Sequence, residues 1–474
     1  MNSSQAAGQE RASSEEVRIF LRRIERLARY LLKGDYGGGG GLWGFQVDLL
    51  KLQQDIQGAI KEAKGRSRKD RVEGHLSGLQ YARWNARRLG DSLAWLALGL
   101  NAQLIHPLAE NSPVPIQQEG HATRGMIAVS VYLANQGWGF PLIHDVTDCL
   151  RIGDVTFVRG DGRGRKVRTV EIKTRFVGAS ESDPNELRYD VSVSFLSAGG
   201  EPDLEFSTTV EGGGISESPG VAEAARMPKR EDRRIERQTH RMASALARQQ
   251  AKHASVAEIE GRKVLTAVFD DSSSASYWKT LRRIIRKAHN EGYAGECTED
   301  AFFYAAYYNP RGVDSEDLQD PRFIEGVMSS GLPSSANAAR NSLEISAIPP
   351  EEGRDAQLFL PYFLYSIPKR AIFEILHGKL SIVAVSNMGR VADALEGNGF
   401  EVSIPSGKGS PRYAAVVSGE FLHEGAAYRF ETNGIGRQVT QCIHELKGVD
   451  HIVNALEGMR ESAVSGVLNG RDGG

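Results

Sequence analysis

The chain has 474 residues, of which 40% are hydrophobic and 25% charged, and a formal net charge of −2. That length predicts about three domains of ordinary soluble composition, and no apolar run of about 18 residues is present to cross a bilayer. Near-neutral charge means that any attraction to nucleic acid must come from local patches, not from the field of the whole molecule.

The polar start MNSSQAAGQERASSEE has no signal-peptide apolar segment, and Cys149, Cys297 and Cys442 are too scattered for a disulfide framework or a zinc knuckle. A cytoplasmic protein with reduced thiols is expected. Residues 1–14 read as a disordered tail. Val17, Ile19, Phe20, Ile24, Leu27 and Leu31 then recur at helical spacing, and Gly37 to Gly41 reads as a flexible linker. Residues 1–42 therefore form a tail, a helix and a linker. A helical region, 43–115, resumes from Val47, breaks at basic Lys64 to Arg71, and continues through apolar Leu89 to Leu108.

From Glu119 a helix runs to about Asn135, followed by a strand at Phe140–Ile143. Leu150 to Phe176 then reads as two strands joined by the polar, glycine-rich turn Arg159 to Lys166. A period of two puts Glu171 and Lys173 on one face. If Val158 pairs with Val167, Asp154 falls opposite Glu171, at a Cβ separation of about 4.5 to 5.5 Å, close enough for both carboxylates to grip one divalent ion. The plain alternative is a solvated strand face. The apolar neighbours Ile152, Val155, Phe157, Val170 and Ile172 favour a buried strand core instead.

Arg188 to Phe195 is the next strand, Ser197 to Gly220 a polar insertion, Arg230 to Ala251 a helix, and Lys263 to Phe269 a strand. This order, α-β-β-β-α-β, together with Asp154, Glu171 and Lys173, resembles the PD-(D/E)XK nuclease superfamily over residues 116–270, within a core domain read as 116–275 with an insertion at 178–229. The resemblance implies a mixed-sheet, restriction-endonuclease-like core. Asp154 and Glu171 would bind Mg2+, with Mn2+ the alternative ion, and Lys173 would orient or activate water and steady the phosphate. Glu119, in the first core helix, would join the metal shell, and Gln238 in the second would lie near the site. Gly153 stands where the motif has proline, a departure from the pattern.

Two basic stripes suit phosphate contacts. Arg230, Arg234, Arg237 and Arg241 share one side of a helix opposite Ile235, Met242 and Leu246. Lys279, Arg282, Arg283 and Arg286 share one side of another, opposite Trp278, Leu281, Ile285 and Ala288. Ordinary solvated helices would look the same. Residues 276–340 read as a mainly helical connector. A C-terminal α/β accessory domain, 341–474, contains a strand at Leu380 to Ser386, a helix at Arg390 to Glu396 and a strand at Phe400 to Ile404. Ser406 to Ser410 fails as a P-loop, Gly434 to Gly436 as a dinucleotide fingerprint, and His444-Glu445 as a zinc motif, since Gly448 stands where the second histidine belongs.

The expected class is thus α/β in the α+β multidomain sense. The expected activity is Mg2+-dependent endonucleolytic hydrolysis of nucleic acid, DNA favoured, without membrane association. Bacterial antiviral defence or DNA processing would fit by fold analogy. The rival is a non-catalytic nucleic-acid-binding or assembly protein on the same scaffold. The helical and C-terminal regions offer surfaces for a second copy or a partner protein.

Overall fold

Apolar side chains recurring every three or four residues drive the first part of the chain into helices. Helix α1 (Ser3–Lys33) buries Phe20, Ile24, Ala28 and Leu31; α2 (Gly39–Gly65) buries Leu49, Leu52, Ile56 and Ile60; α3 (His75–Ala97) buries Leu79, Ala82, Ala86, Leu89 and Leu93. The computed structural model describes residues 3–34, 39–65, 74–109, 121–151, 153–160, 166–179, 187–196, 202–211, 255–259, 262–266, 276–313, 319–330, 343–349, 358–403, 416–423, 426–432 and 435–469. The chain divides into two units, Met1–Gln250 and Ala251–Gly474. Helix and antiparallel sheet are both abundant, an α+β organisation.

Two expectations for the N-terminal region change. Helix α1 already begins at Ser3, where a tail was expected, because QAAGQER is rich in good helix formers. Helix α2 takes in Gly39, so the expected glycine linker does not extend through Gly41.

The first unit continues through α4 (Ala102–Ile105) and α5 (His121–Leu133) to a five-stranded sheet. Its strands are β1 (Phe140–Ile143), β2 (Val155–Arg159), β3 (Lys166–Ala179), β4 (Leu187–Leu196) and β5 (Pro202–Glu211). They lie in sequence order and pair antiparallel throughout. Short connections can join only antiparallel neighbours, which is why the expected mixed sheet is not seen among the described residues. The insertion read at 178–229 is also corrected: it contains both β4 and β5. In β5, Leu204, Phe206, Thr208 and Val210 alternate with polar positions, a half-apolar period of two easily taken for a polar loop.

Helices α2 and α3 hold the start of this sheet through buried polar side chains. Gln46 donates to the Pro141 carbonyl at 2.8 Å and accepts from the Ile143 amide at 2.9 Å, so one side chain completes edge strand β1. Gln53 donates to Ala86 and Val146 carbonyls, and Arg87 to those of Asp145 and Thr147. Asp91 accepts from the Asp148 and Cys149 amides at 2.6 and 2.8 Å and pairs with Arg88 at 2.8 Å. Burial pushes the Asp91 carboxyl up despite Arg88. These bonds account for backbone groups that an irregular buried segment would otherwise leave unpaired.

The second unit opens with the hairpin β6 (Ser255–Ile259) and β7 (Arg262–Thr266). The strand expected at Lys263–Phe269 therefore pairs in its own two-stranded sheet and does not join the five-stranded one, and the unit boundary falls before it, not at 275. The central sheet has the order β10-β11-β9-β8, from β8 (Tyr293–Thr298), β9 (Phe302–Tyr308), β10 (Leu343–Ile348) and β11 (Leu380–Asn387). Helix α6 (Trp278–Glu291) buries Leu281, Ile284, Ile285 and Ala288 against β8 and β9. On the opposite face, Phe323 and Val327 of α7 (Pro321–Ser329) pack on Tyr293, Phe303, Tyr307 and Val385.

Helix α8 (Lys369–Leu376), α9 (Met388–Gly397), the sheet β12 (Glu401–Ser403), β13 (Val416–His423) and β14 (Ala426–Thr432), and helices α10 (Ile435–Glu445) and α11 (Val449–Asn469) complete the unit. The strand, helix and strand read between Leu380 and Ile404 are all present. Gly399, at φ 83°, makes the left-handed turn after α9.

Candidate active site

Strands β2 and β3 pair in the register inferred from the sequence, Val158 with Val167 and Val155 with Val170. At Asp154 the ladder slips: its amide donates to the Val170 carbonyl at 2.9 Å, while its carboxylate Oδ2 accepts from the Ile172 amide at 2.7 Å. The Asp154 carbonyl meanwhile accepts from the His144 amide at 3.0 Å, extending the β1–β2 pairing. Asp154 therefore ends the ribbon, with its carboxylate replacing a backbone acceptor beside Glu171. Both acids are half-buried.

The departure from the Pro-Asp pair has a backbone cause. Gly153 sits at φ 76°, a left-handed conformation open to glycine and closed to proline. Its carbonyl accepts from His144 Nδ1 at 3.0 Å, which leaves His144 Nε2 to accept from the Thr156 hydroxyl at 2.7 Å. Thr156 in turn accepts from Thr169 at 2.9 Å. All three side chains are buried, and Thr156 and Thr169 stand two residues along from Asp154 and Glu171. This relay locks the ribbon below the acids. The sequence reading missed it, although polar residues alternating with apolar ones in both strands were its signal.

Lys173 lies on β3, paired with Ser192, two positions beyond Glu171. Its side chain lies outside the described residues, as do Glu119 and the entire stripe of Arg230, Arg234, Arg237, Gln238 and Arg241. The other stripe lies on α6 in the second unit. Lys279, Arg282 and Arg286 are exposed there, whereas Arg283 makes a two-bond ion pair with Glu296. Among the described residues, no group of three histidine, cysteine or acidic side chains could hold a metal ion. Asp154 and Glu171 supply two hard oxygen donors, and Mg2+ needs only one or two carboxylates when waters and substrate phosphate complete its shell. In chemical type, two carboxylates are donors of the kind such an ion takes.

The motifs rejected from sequence stay rejected where they can be placed. His444 and Glu445 end α10, and His444 is buried beside Phe359, with ring centroids 4.9 Å apart. The segment 406–410 lies outside the described residues. No helix among the described residues is long and apolar enough to span a membrane. The chain matches no family model, no curated protein and no solved structure.

Proposed function

We propose that the chain is a metal-dependent phosphodiesterase acting on nucleic acid, with Asp154 and Glu171 as ion ligands and Lys173 as the group that steadies the phosphate. The observation that carries the reading is the β2–β3 register, Val155 opposite Val170, with the Asp154 carboxylate accepting from the amide of Ile172, the residue next to Glu171. A bound divalent ion would supply a hydrolytic water of lowered pKa and offset charge on the phosphate. The protein's own part is positional. The Ile172 amide fixes the rotation of the Asp154 carboxylate, and the threonine–histidine relay fixes the strand that carries it.

The test is cleavage of plasmid, single-stranded DNA and RNA with and without Mg2+, in the parent chain and in Asp154→Asn and Glu171→Gln. Cleavage that requires Mg2+ and falls at least about 100-fold in either variant is expected, since ion ligands act only in concert. A second reading is favoured by the Asp154–Ile172 bond itself, in which Asp154 serves to end the ladder on a non-catalytic binding scaffold. Absence of any Mg2+-dependent cleavage by the parent, with nucleic-acid binding intact, selects that reading.

A further inference from the structure

The β2–β3 hairpin carries a second feature toward its turn. Segment 159–168, RGDGRGRKVR, holds five cations and one acid. Arg159 and Lys166 are register partners, directly across from one another, and Arg168 follows two residues along β3 on the same face. All three are exposed. Like charges placed opposite in a sheet repel, so this pairing weakens the hairpin unless an anion lies against it. Among the described residues no acid forms an ion pair with any of the three.

Arg168 has an aromatic support instead. Its guanidinium lies over the Trp138 ring, 4.8 Å from the centroid, and Trp138 meets Phe157 edge to face at 6.3 Å. An arginine stacked in this way is pre-oriented, and its planar set of donors matches a phosphate. Gly139, at φ 114°, lets the Trp138 segment pass directly under β2, because a Cβ there would overlap the Val158 carbonyl.

We propose that Arg159, Lys166 and Arg168 form a phosphate-backbone contact for nucleic acid, with Trp138 as the platform for Arg168. The proposal rests on the nucleic-acid reading above and adds the surface that grips the polymer. From Asp154 to Arg159 the strand rises roughly 17 Å, and period-two alternation puts the cations on the face opposite the acids. The contact therefore lies apart from the acids. Its loss weakens binding and leaves the chemical step intact.

Anisotropy of a labelled 30-base-pair duplex and a 30-nucleotide single strand, in EDTA and from 50 to 300 mM NaCl, tests this with the full chain. The variant Arg159→Gln/Lys166→Gln/Arg168→Gln is expected to bind at least about tenfold more weakly, with a salt slope shallower by about 2 to 3. Arg159→Lys should keep most of the affinity, which separates charge from folding, whereas Arg168→Lys should lose part of it because lysine lacks the planar donor set. In the Mg2+ assay the triple variant should show a raised KM and an unchanged kcat. Unaltered affinity and slope in a folded triple variant overturn the proposal, as does a parent chain that binds anionic lipid vesicles but no nucleic acid. A parent that cleaves while the triple variant keeps its slope removes the hairpin contact alone. Hairpin-dependent binding without any cleavage removes the catalytic reading alone.

Discussion

Asp154 has two roles that substitutions can separate. Alanine removes both the charge and the acceptor of the Ile172 amide, whereas asparagine removes the charge and keeps an acceptor oxygen. A half-buried amide left without its partner costs about 1 to 2 kcal/mol, so Asp154→Ala should lower the denaturant midpoint and Asp154→Asn should stay close to the parent. Equal stability of parent and alanine variant in urea melts would show that the bond carries no weight. The β2–β3 register from Val155–Val170 to Arg159–Lys166 was legible because the polar, glycine-rich turn fixes which residues face one another across the hairpin. The slip at Asp154 was not, since it depends on His144 drawing the other side of Asp154 toward β1, a contact between segments that no local pattern encodes.

At the scale of elements, helical periodicity revealed α1 to α3, and the sequence placed β1 and β4 within a residue, whereas β2 begins at Val155, five residues after the stretch read from Leu150. What stayed hidden was how helix and sheet join. Gly90 shows the reason: a Cβ on this α3 residue would collide with the Val146 carbonyl, so the helix touches the backbone that leads to β2. Glycine to alanine in a helix interior ordinarily stabilises by about 1 kcal/mol. Here the sign should reverse, with Gly90→Ala losing about 3 kcal/mol or more through overpacking, read as a lower thermal midpoint. A gain in midpoint would place α3 further from the sheet. Helix α6 gives a second expectation. Arg283 is already held by Glu296 while Lys279, Arg282 and Arg286 are exposed, so Arg283→Gln should leave nucleic-acid affinity nearly unchanged and Arg282→Gln/Arg286→Gln should lower it several-fold in the same anisotropy assay. The sequence showed four equivalent cations because Glu296, on β8, becomes a neighbour only after folding.

At the scale of the whole molecule, two units with separate cores should unfold in two calorimetric transitions, and pH should distinguish them. In the second unit, burial lowers the His444 pKa to about 3 from an ordinary 6.5, and its Nδ1 has no hydrogen-bond partner. Between those values the unfolded chain takes up a proton that the folded unit refuses, so stability falls as pH drops, by about 1.4 kcal/mol per pH unit. From pH 7 to pH 5 the loss should approach about 2 kcal/mol. In the first unit burial raises the carboxyl pKa of Asp91 and Asp145, so the folded state holds the proton to a higher pH than the unfolded chain and these groups gain stability as pH falls. Acidification should therefore move the second unit's transition down further than the first's. His444→Leu should flatten that response while leaving the other transition in place, because leucine fills the site beside Phe359 without a group to protonate. A downward shift of equal size in parent and His444→Leu would assign the pH response to other groups.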